Sequence, residues 1–289
     1  MRLFSELIAD QKQGSVAVEI SGRVVVVTGA ANGIGKALAE RFAAEGATHV
    51  GVSDLDEAGA KAVAAAIGPN ASGHRCDVSK EADIAALVEA AETAAGKPVD
   101  IFISNAGIAD IDPDLSNASS SPDPIWDRAW KVNVMSHVYA ARTMIPGFKQ
   151  RGEGWFVNVV SAAGLLTQVG SAVYSTTKHA ALGFAESLAI SHRDDGIRVT
   201  VICPQAVDTQ MARAGNFAGA DVDGVLSPEQ IAEAAAEGLK AGKFMVTPHE
   251  KVFEYFNNKA QAYDRWVGGM AKFRRSVWDA LSKARSSID

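Results

Sequence analysis

Cysteine is scarce. The 289 residues hold only two, Cys76 and Cys203, each inside an apolar run and far apart in the chain. A disulfide scaffold is therefore excluded, and two buried, reduced thiols are expected. Metal-ligand patterns are missing as well. The six histidines form no HxxxH pair, and His74 with Cys76 lacks two further ligands, so neither a structural zinc nor a catalytic metal is expected. No stretch approaches the roughly 18 uninterrupted apolar residues of a membrane helix. The opening MRLFSELIADQKQGSVAVEISGRVV carries Glu6 and Asp10 and no continuous apolar region, which argues against a secretory signal. The expectation is a soluble, cytoplasmic protein. Positive charge is in short supply too, with a formal net charge of -6. That argues against nucleic acid as the main partner, because tracking a phosphate backbone needs a concentrated positive field. What is present is an ordinary globular composition, 47% hydrophobic and 21% charged, which excludes a disordered or collagen-like chain.

A short β-branched run, Val24 to Val27, ends at Thr28-Gly29, and a helical pattern runs from Gly33 to Ala44. The unit repeats as strand His49 to Ser53, helix Glu57 to Ile67, a short strand around His74 to Cys76, helix Glu81 to Ala95 and strand Val99 to Ser104. Strands alternating with helices predict βαβ crossovers, hence an α/β fold whose parallel sheet is covered on both faces. The polar segment DIDPDLSNASSSPDP reads as surface loop. Beyond it come a long helix Trp126 to Lys149, strand Trp155 to Val160, helix Val173 to His192 and strand Ile197 to Cys203, which Pro204 ends. Helix Pro228 to Ala241 and a short strand Lys243 to Val246 complete the pattern. Asp208 to Val225 lacks periodicity and reads as an excursion whose Gly215, Gly219 and Gly224 permit a lid. No linker and no short repeat is visible. A single domain over residues 22–248 is expected, with an extension at 1–21 and one long helix, His249 to Lys283, within 249–289. The large apolar residues of that helix, among them Val252, Phe256, Trp266 and Trp278, serve its own domain, a subunit contact or a substrate cover.

The first chemical motif is TGAANGIG, Thr28 to Gly35, lying between the first strand and the first helix. Gly29 suits the tight turn, Gly33 lets backbone N–H groups approach a pyrophosphate, and Gly35 lets the helix sit close to the sheet. The helix N-terminus offers unpaired donors to the anion. Asp54 follows at the end of the second strand, nineteen residues after Gly35. A carboxylate there accepts bonds from adenosine ribose hydroxyls and repels a 2′-phosphate, which favours NAD over NADP.

The second motif is YSTTK, Tyr174 to Lys178, with Ser161 thirteen residues before the tyrosine at the end of a strand. Tyr174 and Lys178 are i, i+4 on a helix and share one face. A nearby ammonium favours the phenolate, so the tyrosine pKa is expected to fall from about 10 towards working pH, making Tyr174 a general acid/base. Ser161 stands at the carboxyl edge of the sheet, where doubly wound folds bind ligands, and could hold a substrate oxygen.

In their order and spacing these elements resemble the short-chain dehydrogenase/reductase family across roughly residues 22–248. The matching elements are the glycine turn, Asp77-Val78 after the third strand, Asn105-Ala106-Gly107 after the fourth, Asn133 in the long helix, Ser161 and YSTTK. The resemblance implies a single Rossmann-type doubly wound sheet of about seven strands, order 3-2-1-4-5-6-7. It also implies hydride exchange between a nicotinamide dinucleotide and a small-molecule alcohol or ketone. In that picture Tyr174 transfers the proton, Lys178 lowers its pKa and holds the nicotinamide ribose, and Ser161 orients the substrate oxygen. Asn133 maintains a water-linked proton path. Gly29, Asn32, Gly33, Ile34 and Gly35 hold the cofactor phosphates, Asp77 and Val78 flank adenine, and Asn105, Ala106 and Gly107 line the cofactor and steady the sheet. Pro204, Val207 and Thr209 approach the nicotinamide, where Pro204-Gln205 departs from the family's usual Pro-Gly. Asn32 stands where NADP-using relatives often carry a basic residue, which agrees with NAD as the expected cofactor.

The substrate pocket is expected between Ser161 and Gln168, at Gln205 and in the excursion. Ala163, Leu165, Leu166 and Val169 form an apolar wall, Gln168 and Gln205 the polar contacts, and an apolar secondary alcohol is the expected substrate. The two long helices resemble subunit-pairing helices, so a homodimer or homotetramer is expected. The alternatives are an NADPH-linked carbonyl reductase and a catalytically silent dinucleotide-binding regulatory protein. Epimerase or dehydratase chemistry on a nucleotide sugar usually needs a larger carboxy-terminal domain.

Overall fold

Five β-branched residues in a row, VVVVT, form β1 (Val24–Thr28), and all five are buried. A strand apolar on both faces needs helices above and below it. The computed structural model describes residues 18–214 and 220–286, with side chains at 18–213 and 220–278. After β1 the chain alternates through α1 (Gly33–Ala44), β2 (His49–Asp54), α2 (Glu57–Ile67), β3 (Ala71–Arg75), α3 (Glu81–Ala95) and β4 (Ile101–Ser104). Helix α4 (Asp123–Trp130) runs through a π turn at Lys131–Met135 into α5 (Ser136–Arg151). Then follow β5 (Gly154–Val159), the one-turn α6 (Ala163–Leu166), α7 (Ala172–His192), β6 (Ile197–Ile202), α8 (Gln210–Ala214), α9 (Pro228–Lys240) and β7 (Met245–Val246). Two helices, α10 (Glu250–Gln261) and α11 (Tyr263–Ser286), end the described chain.

The strands form one seven-stranded, all-parallel sheet in the order β3-β2-β1-β4-β5-β6-β7, the order that the family resemblance implies. The period of two along a strand divides the core. Val25 and Val27 pack with α1, α2 and α9, whereas Val24 and Val26 pack with α3, α5 and α7. The order of strands reverses between β1 and β4, and the crevice at their carboxyl ends is where doubly wound sheets bind ligands.

Several elements differ from the sequence reading. Strand β3 lies at Ala71–Arg75 and pairs with Val50 to Asp54, ahead of the expected His74 to Cys76. It is a polar edge strand, and Gly73 lies so close to α2 that a Cβ there would come within 2.5 Å of the Lys61 Cα. The expected helix Trp126 to Lys149 starts earlier and contains the π turn. The expected C-terminal helix is divided at Ala262. Within the excursion, α8 forms a short helix and Val207 bridges to Leu226 at its base, while Gly215 and Gly219 lie outside the described residues. Cys76 and Cys203 are free, buried thiols, each pushed up to about 12 chiefly by burial. Among the described residues, no helix is long and apolar enough to cross a membrane.

Candidate active site

The turn from β1 into α1 is shaped by its glycines. Gly29 takes φ +64°, and a Cβ there would lie 2.7 Å from the Ala106 Cα, so the β4 loop could not approach. Gly33 takes φ +55° and faces Thr209 from the β6 loop, whose Cγ2 would be 3.3 Å from a Cβ. At Gly35 a side chain would run into the Gly29 carbonyl oxygen and the Asn105 amide, which is the close packing of helix on sheet the sequence reading called for. Asn32 precedes α1 in an extended conformation, makes no side-chain capping bond, and no acidic residue follows in the first turn. The amides at Gly33, Ile34 and Gly35 are therefore left to face an anion without a carboxylate competing for them.

Asp54 stands against the same turn. One carboxylate oxygen accepts from the Ala31 N–H at 3.0 Å and the other from the Asp56 N–H at 3.0 Å. The Cys76 N–H donates to the Asp54 carbonyl at 2.9 Å, which draws the exit of β3 to this edge. There the Asp77 carboxylate is held below the usual range by the Ser79 hydroxyl, assisted by the Ser79 N–H and by Lys80, and Val78 is buried.

Asn105 braces the switch point. Its amide donates to the Thr28 and Gly29 carbonyl oxygens, both at 2.9 Å. The Thr28 hydroxyl in return accepts from the N–H groups of Asn105 at 3.1 Å and Ala106 at 3.2 Å. At Gly107 a Cβ would sit 3.3 Å from Asn133 Oδ1 and 3.4 Å from Lys178 Nζ, so glycine keeps the space above both open. Asn133 lies within the π turn, a feature that often marks functional positions in helices, and is fully buried. Its Oδ1 accepts from the Ile108 N–H at 2.9 Å, while Nδ2 donates to the Ile108 carbonyl at 2.9 Å and to Thr177 Oγ1 at 3.1 Å. The side chain thus ties the β4 loop to α7.

Lys178 is 3% exposed, and its ammonium donates to the Val159 carbonyl oxygen at 3.1 Å. Burial pushes its pKa down to about 8. One helical turn earlier lies Tyr174, whose ring centroid is 5.6 Å from Nζ. Ser161, at the end of β5, takes φ +156°, a conformation L side chains rarely adopt; its hydroxyl accepts from the Ala163 N–H at 3.0 Å and also engages Tyr174. The three side chains are brought together, but the tyrosine pKa moves opposite to the sequence expectation. Burial of the phenol raises it, and the Ser161 hydroxyl only partly opposes that. Desolvation of the phenolate is the largest effect, and the Lys178 ammonium gives its bond to the β5 backbone.

At the exit of β6 the Pro204 carbonyl accepts from the Ala162 N–H at 2.8 Å, joining the two loops. The Gln205 N–H donates to His249 Nδ1 at 3.2 Å, while Gln205 Oε1 is buried without a partner among the described residues. Val207 is buried, and the Thr209 hydroxyl accepts from the Ala212 N–H at 3.2 Å. The Gln168 N–H donates to the Ser175 hydroxyl at 2.8 Å, fixing this residue to the first turn of α7. Of the expected apolar wall, Leu165 and Leu166 join Ala162 in the core formed with α7 and Val252 of α10, and Leu165 also borders a cavity between α6, α7 and α10. Sequence reasoning missed His249, although it follows the last strand at the carboxyl edge of the sheet. It also missed His137, which burial and the Lys178 charge push down to about 3, and which lies against Asn158 beneath the site.

Residues 23–217 match the family model described as short chain dehydrogenase. The chain is 34% identical over 234 residues to 3beta-hydroxysteroid dehydrogenase 2 of Eggerthella lenta, covering 75% of this chain and 87% of that one. It is 31% identical over 233 residues to D-beta-hydroxybutyrate dehydrogenase of Cupriavidus necator, covering 80% and 88%. Among solved structures it is similar to a short chain dehydrogenase/reductase from Burkholderia phymatum in complex with NAD, with TM-score 0.77, 25% identity, and 86% and 96% of the two chains covered. It is also similar to 3-ketoacyl-(acyl-carrier-protein) reductase from Brucella melitensis complexed with NADH, with TM-score 0.72, 35% identity, and 78% and 96% covered.

Proposed function

The chain belongs to the short-chain dehydrogenase family, and from that premise we propose that it is an NAD-linked oxidoreductase interconverting a secondary alcohol and its ketone. The observation that supports this most directly is the convergence of Ser161, Tyr174 and Lys178 beside the gap kept open at Gly107. The two relatives named as dehydrogenases act, by their names, on hydroxyl-bearing small molecules. The surrounding residues fit a dinucleotide. Gly29, Asn32, Gly33, Ile34 and Gly35 would hold its phosphates, Asp54 the adenosine ribose, and Asp77 and Val78 the adenine. Asn105, Ala106, Gly107, Pro204, Val207 and Thr209 would line the nicotinamide half, with Tyr174 and Lys178 at its ribose. The Asp54 carboxylate disfavours a 2′-phosphate, so NAD is preferred over NADP.

When bound, the nicotinamide supplies the hydride acceptor or donor. The chain's own groups handle the proton. Ser161 donates a hydrogen bond to the substrate oxygen, and Tyr174 exchanges its hydroxyl proton with that oxygen. The Lys178 ammonium favours the phenolate once the proton has left. Gln168 and Gln205 contact the remainder of the substrate. Because burial keeps Tyr174 a phenol through neutral pH, ketone reduction finds it in the required state. Alcohol oxidation needs the anion, and its rate therefore rises with pH.

The test is purified protein with NAD and a panel of secondary alcohols running from hydroxysteroids to short hydroxy acids, read as NADH absorbance. Tyr174→Phe is expected to lower kcat by about 10²- to 10⁴-fold, the range of a lost general acid/base, with NAD affinity unchanged. Turnover retained in that variant rejects the assignment.

A further inference from the structure

The loop that follows Ser161 is held at three points. Gly164 lies directly on α7, where a Cβ would sit 2.8 Å from the Lys178 carbonyl oxygen. Gln168 is tied to the same helix through the Ser175 hydroxyl. The third point comes from the C-terminal helices: Lys259 of α10 is 7% exposed, and its Nζ donates to the Leu165 carbonyl oxygen at 2.6 Å. Helix α6 is a single turn, so its last carbonyls have no partner within it. It ends at Thr167 with φ +70°, a left-handed conformation that a β-branched residue holds only when its surroundings enforce it. Thr167 is itself exposed, so packing around its side chain does not enforce it. A cavity of about 320 Å³ lies between α6, α7 and α10, bordered by Leu165, His179, Leu182, Phe256 and Tyr263. The Lys259 ammonium spans the edge of this gap, 5.3 Å from the Tyr263 ring centroid. Lysine is seldom buried, and here its charged end caps the helix that leads out of the Ser161 turn.

We infer that Lys259 is a positioning residue, which by capping α6 fixes the loop that sets Ser161 against Tyr174. The kinetic part of its test rests on the alcohol–ketone reading above; the exchange part does not. Lys259→Met keeps the aliphatic stem and removes the donor. It is expected to lower kcat/KM for the alcohol about tenfold or more, the scale of a charged hydrogen bond to a buried acceptor, with KM for NAD changed less than about twofold. Lys259→Arg is expected to recover a substantial part of that loss. Amide hydrogen exchange should accelerate in peptides spanning residues 161–168 and stay unchanged in β1 and β4. A purely structural lysine would lower the melting temperature without this selective exchange or the split between the two substrates. Tyr263→Leu alters an exposed side chain whose ring lies against the Lys259 ammonium, and it should move loop exchange in the same direction by about twofold. A folded Lys259→Met with unchanged kcat/KM and unchanged loop exchange overturns the inference. If that variant does not fold, unchanged loop exchange in Tyr263→Leu overturns it. Wild-type protein that turns over no alcohol, together with faster loop exchange in Lys259→Met, rejects the functional reading and leaves the clamp standing.

Discussion

Replacing Lys178 by methionine removes a charge from a position that is 3% exposed. Burial lowers the lysine pKa from 10.5 to about 8. Between those values the unfolded chain carries a proton that the folded chain has released, so wild-type stability rises with pH across that window. Below about pH 8 both states are protonated and the whole penalty of the buried ammonium is present. The gap between the two values corresponds to roughly 3 kcal/mol. Methionine relieves that penalty but leaves the Val159 carbonyl oxygen without the donor it has at 3.1 Å. An unmatched buried acceptor costs about 1–3 kcal/mol, which nearly offsets the gain at neutral pH. The informative quantity is therefore how the difference between the two proteins changes with pH. Urea unfolding of wild type and Lys178→Met without dinucleotide, at pH 7 and pH 9.5, is expected to show the wild type gaining about 2 kcal/mol relative to the variant. Parallel stabilities at the two pH values would refute the argument, because the ammonium would then pay no desolvation penalty in the fold.

Two further substitutions test the cofactor edge. Asp54→Ser is expected to weaken NAD binding about tenfold and to narrow the preference for NAD over NADP, measured by thermal-shift titration with each dinucleotide, because the ribose acceptor and the charge facing a 2′-phosphate go together. Wild-type protein binding NADP more tightly than NAD would contradict that reasoning. Asn105→Ala takes the amide from the Thr28 and Gly29 carbonyl oxygens and should lower unfolding free energy by about 2–4 kcal/mol in chemical denaturation. A loss below about 1 kcal/mol would show that water substitutes for the brace.

The elements that were legible in the sequence are those whose environment repeats along the chain. β1 is buried on both faces, so an unbroken run of valines could only be a central strand, and Gly29, Gly33 and Gly35 follow it at a turn where each meets a different close neighbour. Strand β3 was misplaced because an edge strand needs little apolar character; ASGHR is held by pairing to β2 and by the contact of Gly73 with α2. The π turn around Asn133 is a local change of hydrogen bonding over five residues, too short for a period read along a long helix to locate. Lys259 was passed over because a lysine in an amphipathic helix ordinarily marks the solvated face. Yet it stands seven residues after Val252 and three after Phe256, on the stripe that faces the domain, and that spacing was the available signal.

Spacing also placed Tyr174 and Lys178 on one helix face, but it carried no information about the medium between them. In the folded chain desolvation acts on both groups, holding the phenol protonated and weakening the hold of the lysine on its proton. Both shifts favour the neutral pair over the charged one. A phenolate at Tyr174 would reverse the balance for its neighbour, because an anion near a buried ammonium lowers the cost of keeping it charged. Gly107 leaves space beside the Lys178 ammonium, and Asn133 ties the β4 loop to α7 next to it. Filling the space at Gly107 would crowd the Lys178 ammonium, deepen its desolvation and push its pKa further down.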